Sequence, residues 1–304
     1  MEALFIGQAY IDVTFVADRL PRGDEKTVAE AYAVSFGGNA VTAAFCCANL
    51  GLRPDLLCTL ADDWLGRMFM DMAARYRVTI HMRKVRSSAL SFVMPRGMKR
   101  AIVRCRDDDY LHPFPALSLD GCRALHIDGH QPDAALHYAK ACRKRGILTS
   151  LDGGSMRSNT DEVLKSVDVA VVSEDFCRQR GERPAETIRH ILSKGADVAG
   201  VTLGASGMIW QEQGDTLQHM PALAVPRARI VDTNGAGDIF HGAYVYKAVK
   251  EPGSSWRERF EFARAASAHA IQHLGNEASL PSLDAVETAQ LEFRASRKRA
   301  SLTT

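Results

Sequence analysis

The clearest chemical signal in this sequence is the run of seven residues from Asp232 to Asp238, DTNGAGD. It lies between a short β-branched segment and a pattern typical of a helix, so it predicts a strand-to-helix turn. The first N–H groups of a helix are unpaired and lie at its positive end, which makes such a turn a binding site for phosphate. A carboxylate at Asp238 would repel that phosphate unless it accepts a proton from an attacking hydroxyl. The run therefore indicates phosphoryl transfer to an alcohol, with Gly235, Ala236 and Gly237 as the anion hole.

Two further carboxylates and a second glycine-rich turn occupy places where ligands collect in α/β proteins. Asp12 follows a strand predicted over 3–7, and Asp128 follows one over 125–127. Gly37-Gly38-Asn39 begins a helix of small residues. In open parallel sheets, ligands bind at the carboxyl ends of the strands. Solvated strand ends and a capping asparagine are the alternative explanation for each of these residues taken alone.

The order of elements predicts the fold that would position these residues. From residue 125 onward, strands alternate with helices, which requires right-handed crossovers and a parallel sheet covered on both faces. The short extended segments at 11–36 and 78–105 predict a small β lid beside that sheet. We expect one doubly wound α/β domain over 1–304, with a mostly parallel sheet, helices on both faces and a β-sheet lid. The basic residues near the end predict a flexible tail over 294–304.

Composition excludes several classes of function. A net charge of +2 provides no field that would attract nucleic acid or an anionic membrane, so neither is expected as a partner. No run of about 18 apolar residues is present, and the first residues lack the pattern of an export signal. The seven cysteines form no CxxC pair and no metal-ligand spacing, which predicts free, buried thiols. These features together predict a cytoplasmic protein.

Several of these motifs together resemble one family. The run 232–238 and the helix after it are similar to the C-terminal signature of the PfkB-type carbohydrate kinases, the ribokinase-like family. The turn at 37–39 resembles that family's N-terminal Gly-Gly signature. The segment 201–207, VTLGASG, resembles its nucleotide loop. The matches follow the family order along the chain, whereas the Walker sequence and GxGxxG are both absent.

The resemblance implies a role for each matching residue. Asp238 would be the general base, and magnesium would bridge the triphosphate of ATP. The acceptor-binding residues would be Asp12, Gly37, Gly38, Asn39 and Asp128. The nucleotide-binding residues would be Thr202, Gly204, Gly207, Gly275 and Asn276. Asp232 and Asn234 would contribute to a potassium site, and Glu174 would help to hold Mg²⁺ in place of the family's usual Asn-x-x-Glu.

We therefore predict ATP-dependent phosphorylation of a primary hydroxyl on a small sugar of the ketohexose or pentose type. Two alternatives stay open: a nucleoside kinase with the same fold, and a protein that senses sugar or nucleotide without catalysis. Lys26 and Arg104 are compatible with an acidic sugar, although solvated charges on the lid explain them better. Exposed lid strands also predict a homodimer through the lid, because sheet edges need cover.

Overall fold

A computed structural model describes residues 1–96 and 99–293 of the 304-residue chain. The strands within these ranges are β1 Ala3–Gly7, β2 Tyr10–Val16, β3 Ala31–Gly37, β4 Pro54–Leu60, β5 Thr79–Lys84, β6 Ala89–Arg96, β7 Lys99–Cys105, β8 Ala124–Ile127, β9 Leu148–Gly153, β10 Val169–Ser173, β11 Val198–Thr202, β12 Met208–Glu212 and β13 Gln218–Met220. The α-helices there are α1 Asn39–Asn49, α2 Trp64–Tyr76, α3 Pro132–Lys144, α4 Thr160–Leu164, α5 Glu174–Arg180, α6 Pro184–Ser193, α7 Ala236–Lys250, α8 Trp256–Ala270 and α9 Leu283–Glu292.

The main sheet has the strand order β13-β12-β11-β10-β9-β8-β1-β4-β5. The strands from β11 to β5 in this order are parallel, whereas β12 and β13 are antiparallel. The carboxyl ends of β8, β9, β10 and β11 therefore meet at one edge of the sheet. The predicted doubly wound, mostly parallel α/β fold is confirmed.

Helices cover both faces of this sheet, as its composition requires. Strands such as β10 are continuous apolar runs whose side chains are buried on both faces, which is typical of parallel sheets. Apolar residues of α1, α2, α7 and α8 pack on one face, and those of α3 to α6 pack on the other.

Close packing between α1 and α7 sets the position of the helix that carries Asp238. A Cβ atom at Gly242 in α7 would lie 2.5 Å from the carbonyl oxygen of Ala43 in α1. The two backbones can approach only because both surfaces carry small residues here. The thiol of Cys47 donates to the Gly242 carbonyl at 3.0 Å and joins the two helices directly.

The lid is a separate sheet with the order β3-β2-β6-β7. Its strands lie within the predicted segments 11–36 and 78–105, with one correction: Thr79–Lys84 pairs with β4 at the edge of the main sheet. The strand following α2 continues the parallel series, so its hydrogen bonds are made there and not with the lid. Asp12 pairs in register with Ser35 and Ser91, and Ser91 pairs with Arg104.

Other sequence-based expectations have mixed outcomes. All seven cysteines are free thiols and six of them are buried, but Cys105 on β7 is exposed. Among the described residues, no helix combines the length and the apolar character needed to cross a bilayer. The tail predicted over 294–304 lies outside the described residues.

Candidate active site

Asp238 lies in the first turn of α7, directly after the turn predicted as an anion hole. Gly235 is the N-cap of this helix, with a φ of 73°. In the described part of the chain, the backbone N–H groups of Gly235, Ala236 and Gly237 have no hydrogen-bond partner. Their free donors and the helix dipole favour an anion here. The Asp238 carboxylate also makes no hydrogen bond or ion pair with any described residue.

Asp232 fixes the conformation of the loop before α7. Its buried carboxylate accepts the backbone N–H of Asn234 at 2.8 Å and that of Gly275 at 3.3 Å. The bonds hold residues 232–234 against the segment that follows α8. From α8 itself, the Ser267 hydroxyl donates to the Ala236 carbonyl at 2.8 Å and fixes the start of α7.

Asn276 joins this loop to the lid. Its side-chain amide donates to Asp12 Oδ2 at 3.1 Å and to the Phe36 carbonyl at 2.8 Å, and only 1% of the residue is exposed. Asn234 Nδ2 donates to the same oxygen of Asp12 at 3.4 Å. Nucleotide binding by Asn276 stays a prediction; the structure shows that its side-chain amide is buried and engaged in positioning Asp12.

Two glycines allow these close approaches. A Cβ at Gly235 would lie 2.3 Å from Asn276 Oδ1, and a Cβ at Gly37 would lie 2.3 Å from the Asp12 carboxylate. Any side chain at either position would displace the groups that hold Asp12. Glycine is therefore required at position 37, next to the N-cap Gly38 of α1, because the chain passes so close to the Asp12 carboxylate.

Asp128 lies where the strand order reverses, between β1 and β8. Its Oδ2 accepts the N–H groups of Gln8 and Ala40, both at 3.4 Å, and its Oδ1 accepts that of His130 at 3.0 Å. A carboxylate offers about four acceptor positions. Asp128 therefore uses most of them to fix the start of α1 at the switch point of the sheet, where ligands bind in such folds.

Asn39 is the first residue of α1, and its amide donates to Asp152 Oδ2 at 3.1 Å. Asp152 ends β9, one strand further along the sheet. Behind it lies His241 of α7, whose Nε2 is 3.6 Å from Asp152 Oδ1. His241 Nδ1 contacts the Tyr244 hydroxyl at 2.9 Å. The Asp152 carboxylate is thus supported by a buried polar network.

Burial controls the protonation of these groups. Protein groups surround the Asp238 carboxylate, although part of it is exposed. The resulting desolvation, together with the negative charge of Asp152, raises the pKa of Asp238 to about 8. Desolvation likewise raises the pKa of Asp152 to about 7 and lowers that of His241 to about 3. Burial also raises the pKa of Asp12, while the positive charge of Arg104 opposes that rise. Asp238 and Asp152 are therefore two neighbouring carboxyl groups that cannot easily ionise together.

The predicted nucleotide loop follows β11. Thr202 ends that strand, and Gly204 begins a single 3₁₀ turn with a φ of 55°. Gly207 passes so close to the Met220 carbonyl oxygen that a Cβ would lie 2.0 Å from it. Gly275 lies against the lid, since a Cβ there would be 2.9 Å from Ala33 Cβ. Of these positions, Gly275 contacts the loop before α7, through the hydrogen bond of its N–H to Asp232.

Glu174 is separate from the other two residues predicted to hold a metal. It is the exposed first residue of α5, at the end of β10, and it forms no ion pair or side-chain hydrogen bond with a described residue. Ser173 beside it caps that helix by accepting the Phe176 N–H at 3.1 Å. The structure thus joins Asp232 with Asn234 but not with Glu174.

The predicted set did not include Asp152 or His241. Both carried a usable signal: Asp152 ends a strand at the same edge as Asp128, and His241 lies three residues after Asp238 on one helix face. Arg104, which the sequence left ambiguous, lies on the lid face that carries Asp12, as the register shows.

Comparisons with known proteins agree with this geometry. A family model described as pfkB family carbohydrate kinase matches residues 2–283. The ribokinase of Arabidopsis thaliana is 26% identical over 302 residues, covering 91% of this chain and 77% of that protein. The crystal structure of a ribokinase from Thermotoga maritima matches with a TM-score of 0.80 at 20% identity, covering 96% of this chain and 99% of the other. The structure of Arabidopsis thaliana ribokinase complexed with ribose and ATP matches with a TM-score of 0.78 at 24% identity, covering 95% and 98%.

Proposed function

The chain belongs to the pfkB family of carbohydrate kinases, and on that basis we propose that it transfers the terminal phosphoryl group of ATP to a primary hydroxyl of a small sugar of the pentose or ketohexose type. The observation that carries this proposal is the unpaired carboxylate of Asp238 in the first turn of α7, beside three free N–H groups. Members of such families are phosphotransferases that act on alcohol groups.

In the proposed step, the acceptor hydroxyl gives its proton to the Asp238 carboxylate while its oxygen attacks the terminal phosphorus of ATP. The bond to the bridging oxygen breaks, and ADP leaves. A positioned base of this kind contributes about 10²–10⁴-fold to the rate. The N–H groups of Gly235, Ala236 and Gly237 would stabilise the charge on the transferred group, an electrostatic contribution that is usually larger.

Asp12 would accept hydrogen bonds from the other hydroxyls of the sugar. Its support by Asn276 and Asn234 holds one carboxylate oxygen in place. Asn39 is held by Asp152 in the same way. Such preorganised polar groups orient the acceptor and limit access of water, which competes for the phosphoryl group.

The residues present fit a magnesium–ATP complex. Mg²⁺ prefers oxygen ligands and retains water molecules, and the Glu174 carboxylate, at the carboxyl end of β10, is an oxygen donor with no partner among the described residues. When bound to ATP, the ion would neutralise part of the negative charge of the triphosphate. A potassium requirement follows only from the resemblance, and replacing K⁺ by Na⁺ in the assay tests it.

The lid disfavours the nucleoside alternative. A nucleoside pocket needs flat apolar walls facing Asp12, and the candidates were Phe15, Phe36 and Phe92. Side chains alternate across a strand, so Phe15 lies on the face opposite Asp12, where it packs against Phe92 with centroids 5.9 Å apart. Phe36 is buried and stacks on Phe45 at 3.9 Å. None of these rings is available to a base.

A substrate panel tests the proposal. ADP release is measured with MgATP and pentoses, ketohexoses, sugar acids or nucleosides, and the product is identified by ³¹P NMR. Sugar-dependent ADP release that Asp238→Asn abolishes supports a sugar kinase. Sugar binding in calorimetry without turnover on any acceptor would support the sensing alternative, and preference for nucleosides would refute the acceptor class.

A further inference from the structure

We propose that the lid of this kinase contains an anion subsite built on Arg104, so that the preferred acceptor is a sugar carrying a carboxylate or phosphate group. The inference rests on the proposed function and specifies its acceptor class. Two observations support it: the register of the lid strands and the hydrogen bonding of the Arg104 guanidinium group.

Register places Arg104 above the acceptor site. Asp12 on β2 pairs with Ser91 on β6, and Ser91 pairs with Arg104 on β7, so the three residues form one row across the lid. Residues in one row point to the same face of a sheet. Two strand spacings correspond to about 10 Å between the backbones of Asp12 and Arg104. A sugar bound to Asp12 would therefore extend toward Arg104.

The guanidinium of Arg104 is held in place, yet its two terminal nitrogens have no hydrogen-bond partner among residues 1–96 and 99–293. Its Nε donates to the Ser91 hydroxyl at 3.3 Å, and its Cζ lies 5.2 Å from the centre of the Tyr10 ring. Tyr10 is two residues before Asp12, so the group leans back toward β2. No carboxylate of the described residues lies within 4 Å of it. A fixed fork with two free donors matches the geometry of a carboxylate or phosphate.

Two arginines on the same face of β7, Arg100 and Arg104, bring positive charge to the site. The charge of Arg104 opposes the rise in the pKa of both Asp12 and Asp238, and that of Arg100 opposes the rise for Asp232 and Asp238. Of the two arginines, Arg104 is the one that lies in the row of Asp12 and Ser91.

Arg157 provides a second cation at the carboxyl end of β8. Its Nε donates to the Asp128 carbonyl at 3.1 Å, beside Gly129 at the end of β8. It also forms no ion pair with a described residue. An anionic acceptor would thus be flanked by two guanidinium groups that the protein itself leaves unneutralised.

Matched acceptors test the subsite. We suggest comparing D-fructose with D-fructose 6-phosphate, and D-glucitol with D-gluconate, because each pair differs in its anionic group. Arg104→Gln is compared with Arg189→Gln, an exposed arginine on α6 that has no ion pair or side-chain hydrogen bond with a described residue. We expect at least one anionic acceptor to exceed its neutral partner in kcat/KM by 10-fold or more. Charge-assisted hydrogen bonds predict that Arg104→Gln lowers kcat/KM for that acceptor about 10- to 100-fold, mainly through KM.

The control outcomes separate this inference from the kinase proposal. In Arg104→Gln, neutral acceptors should lose at least fivefold less kcat/KM than the preferred anionic acceptor, and Arg189→Gln should resemble the wild type with every acceptor. Efficient turnover of neutral sugars alone, or equal losses for neutral and anionic acceptors, would overturn the subsite while leaving the kinase intact. If no acceptor is turned over, calorimetry with gluconate and fructose 6-phosphate decides: binding lost in Arg104→Gln supports the subsite, and absence of binding refutes it.

Discussion

Replacing Asp238 by asparagine is the sharpest test of the proposed chemistry. Asparagine has the same shape but cannot accept the proton of the attacking hydroxyl. The nearby Asp152 cannot take over, because its Oδ2 accepts Asn39 and its Oδ1 faces His241. We therefore expect kcat to fall by about 10²–10⁴, which corresponds to about 2.7–5.4 kcal/mol of transition-state stabilisation.

This variant should be as stable as the wild type at low pH and more stable near neutral pH, which separates a loss of catalysis from a loss of folding. Asparagine removes the repulsion between two carboxyl groups and loses a favourable interaction with the helix dipole of about 0.3–1 kcal/mol. Asp284→Asn is the matched control, since Asp284 is an exposed residue in the first turn of α9. It loses the same kind of dipole interaction but should retain full activity.

The pH dependence of stability gives an independent measurement on the same pair of proteins. The pKa of Asp238 is raised to about 8 in the folded protein, whereas an unfolded Asp titrates near 3.9. The folded state thus holds a proton that the unfolded chain has released. The contribution of Asp238 to the free energy of unfolding should fall as pH rises from about 4 to about 8. Denaturant titrations across this range should show a smaller decline in Asp238→Asn.

The assays are a coupled measurement of ADP release and calorimetric binding of a non-hydrolysable ATP analogue. We expect Asp238→Asn to bind the nucleotide and the acceptor about as tightly as the wild type. A variant that keeps more than a tenth of wild-type kcat would refute the assignment of Asp238 as the base. Loss of nucleotide binding would instead show that the carboxylate organises the phosphate site.

Four further predictions follow from the same contacts. Because only deprotonated Asp238 can accept a proton, kcat/KM should rise with pH to a plateau above about 8, and a profile that is flat from pH 6 to 9 would contradict this. A Cβ at Gly237 meets nothing within 4 Å, so Gly237→Ala should keep the melting temperature but lower kcat at least 10-fold by crowding the phosphoryl group; Gly253→Ala, equally open, is the control. Asn276→Ala frees Asp12 and should lower kcat/KM about 10- to 100-fold, mainly through the acceptor KM; a change in ATP affinity alone would contradict that role. The outer lid face exposes 69% of both Tyr32 and Val103, and we expect a homodimer there that Val103→Asp dissociates in sedimentation while Val28→Asp in the loop does not.

Local sequence was enough to predict much of this protein. The turn and helix around Asp238 depend on backbone preferences within a few residues, so the run 232–238 predicted them correctly. The alternation of strands and helices predicted the parallel sheet in the same way. The rule that ligands collect at strand ends located Asp128, because all parallel strands of a sheet end at one edge.

Contacts between distant segments could be decided only by the tertiary structure. Asn276 reaches Asp12 across 264 positions of sequence, and the pairing of β5 with β4 in place of the lid depends on which sheet has an open edge. The rise in the pKa of Asp238 likewise requires Asp152 beside it in space. Periodicity records which face of an element is buried but not which partner covers it. Local patterns therefore determined the turn before α7, and packing determined the groups that surround it.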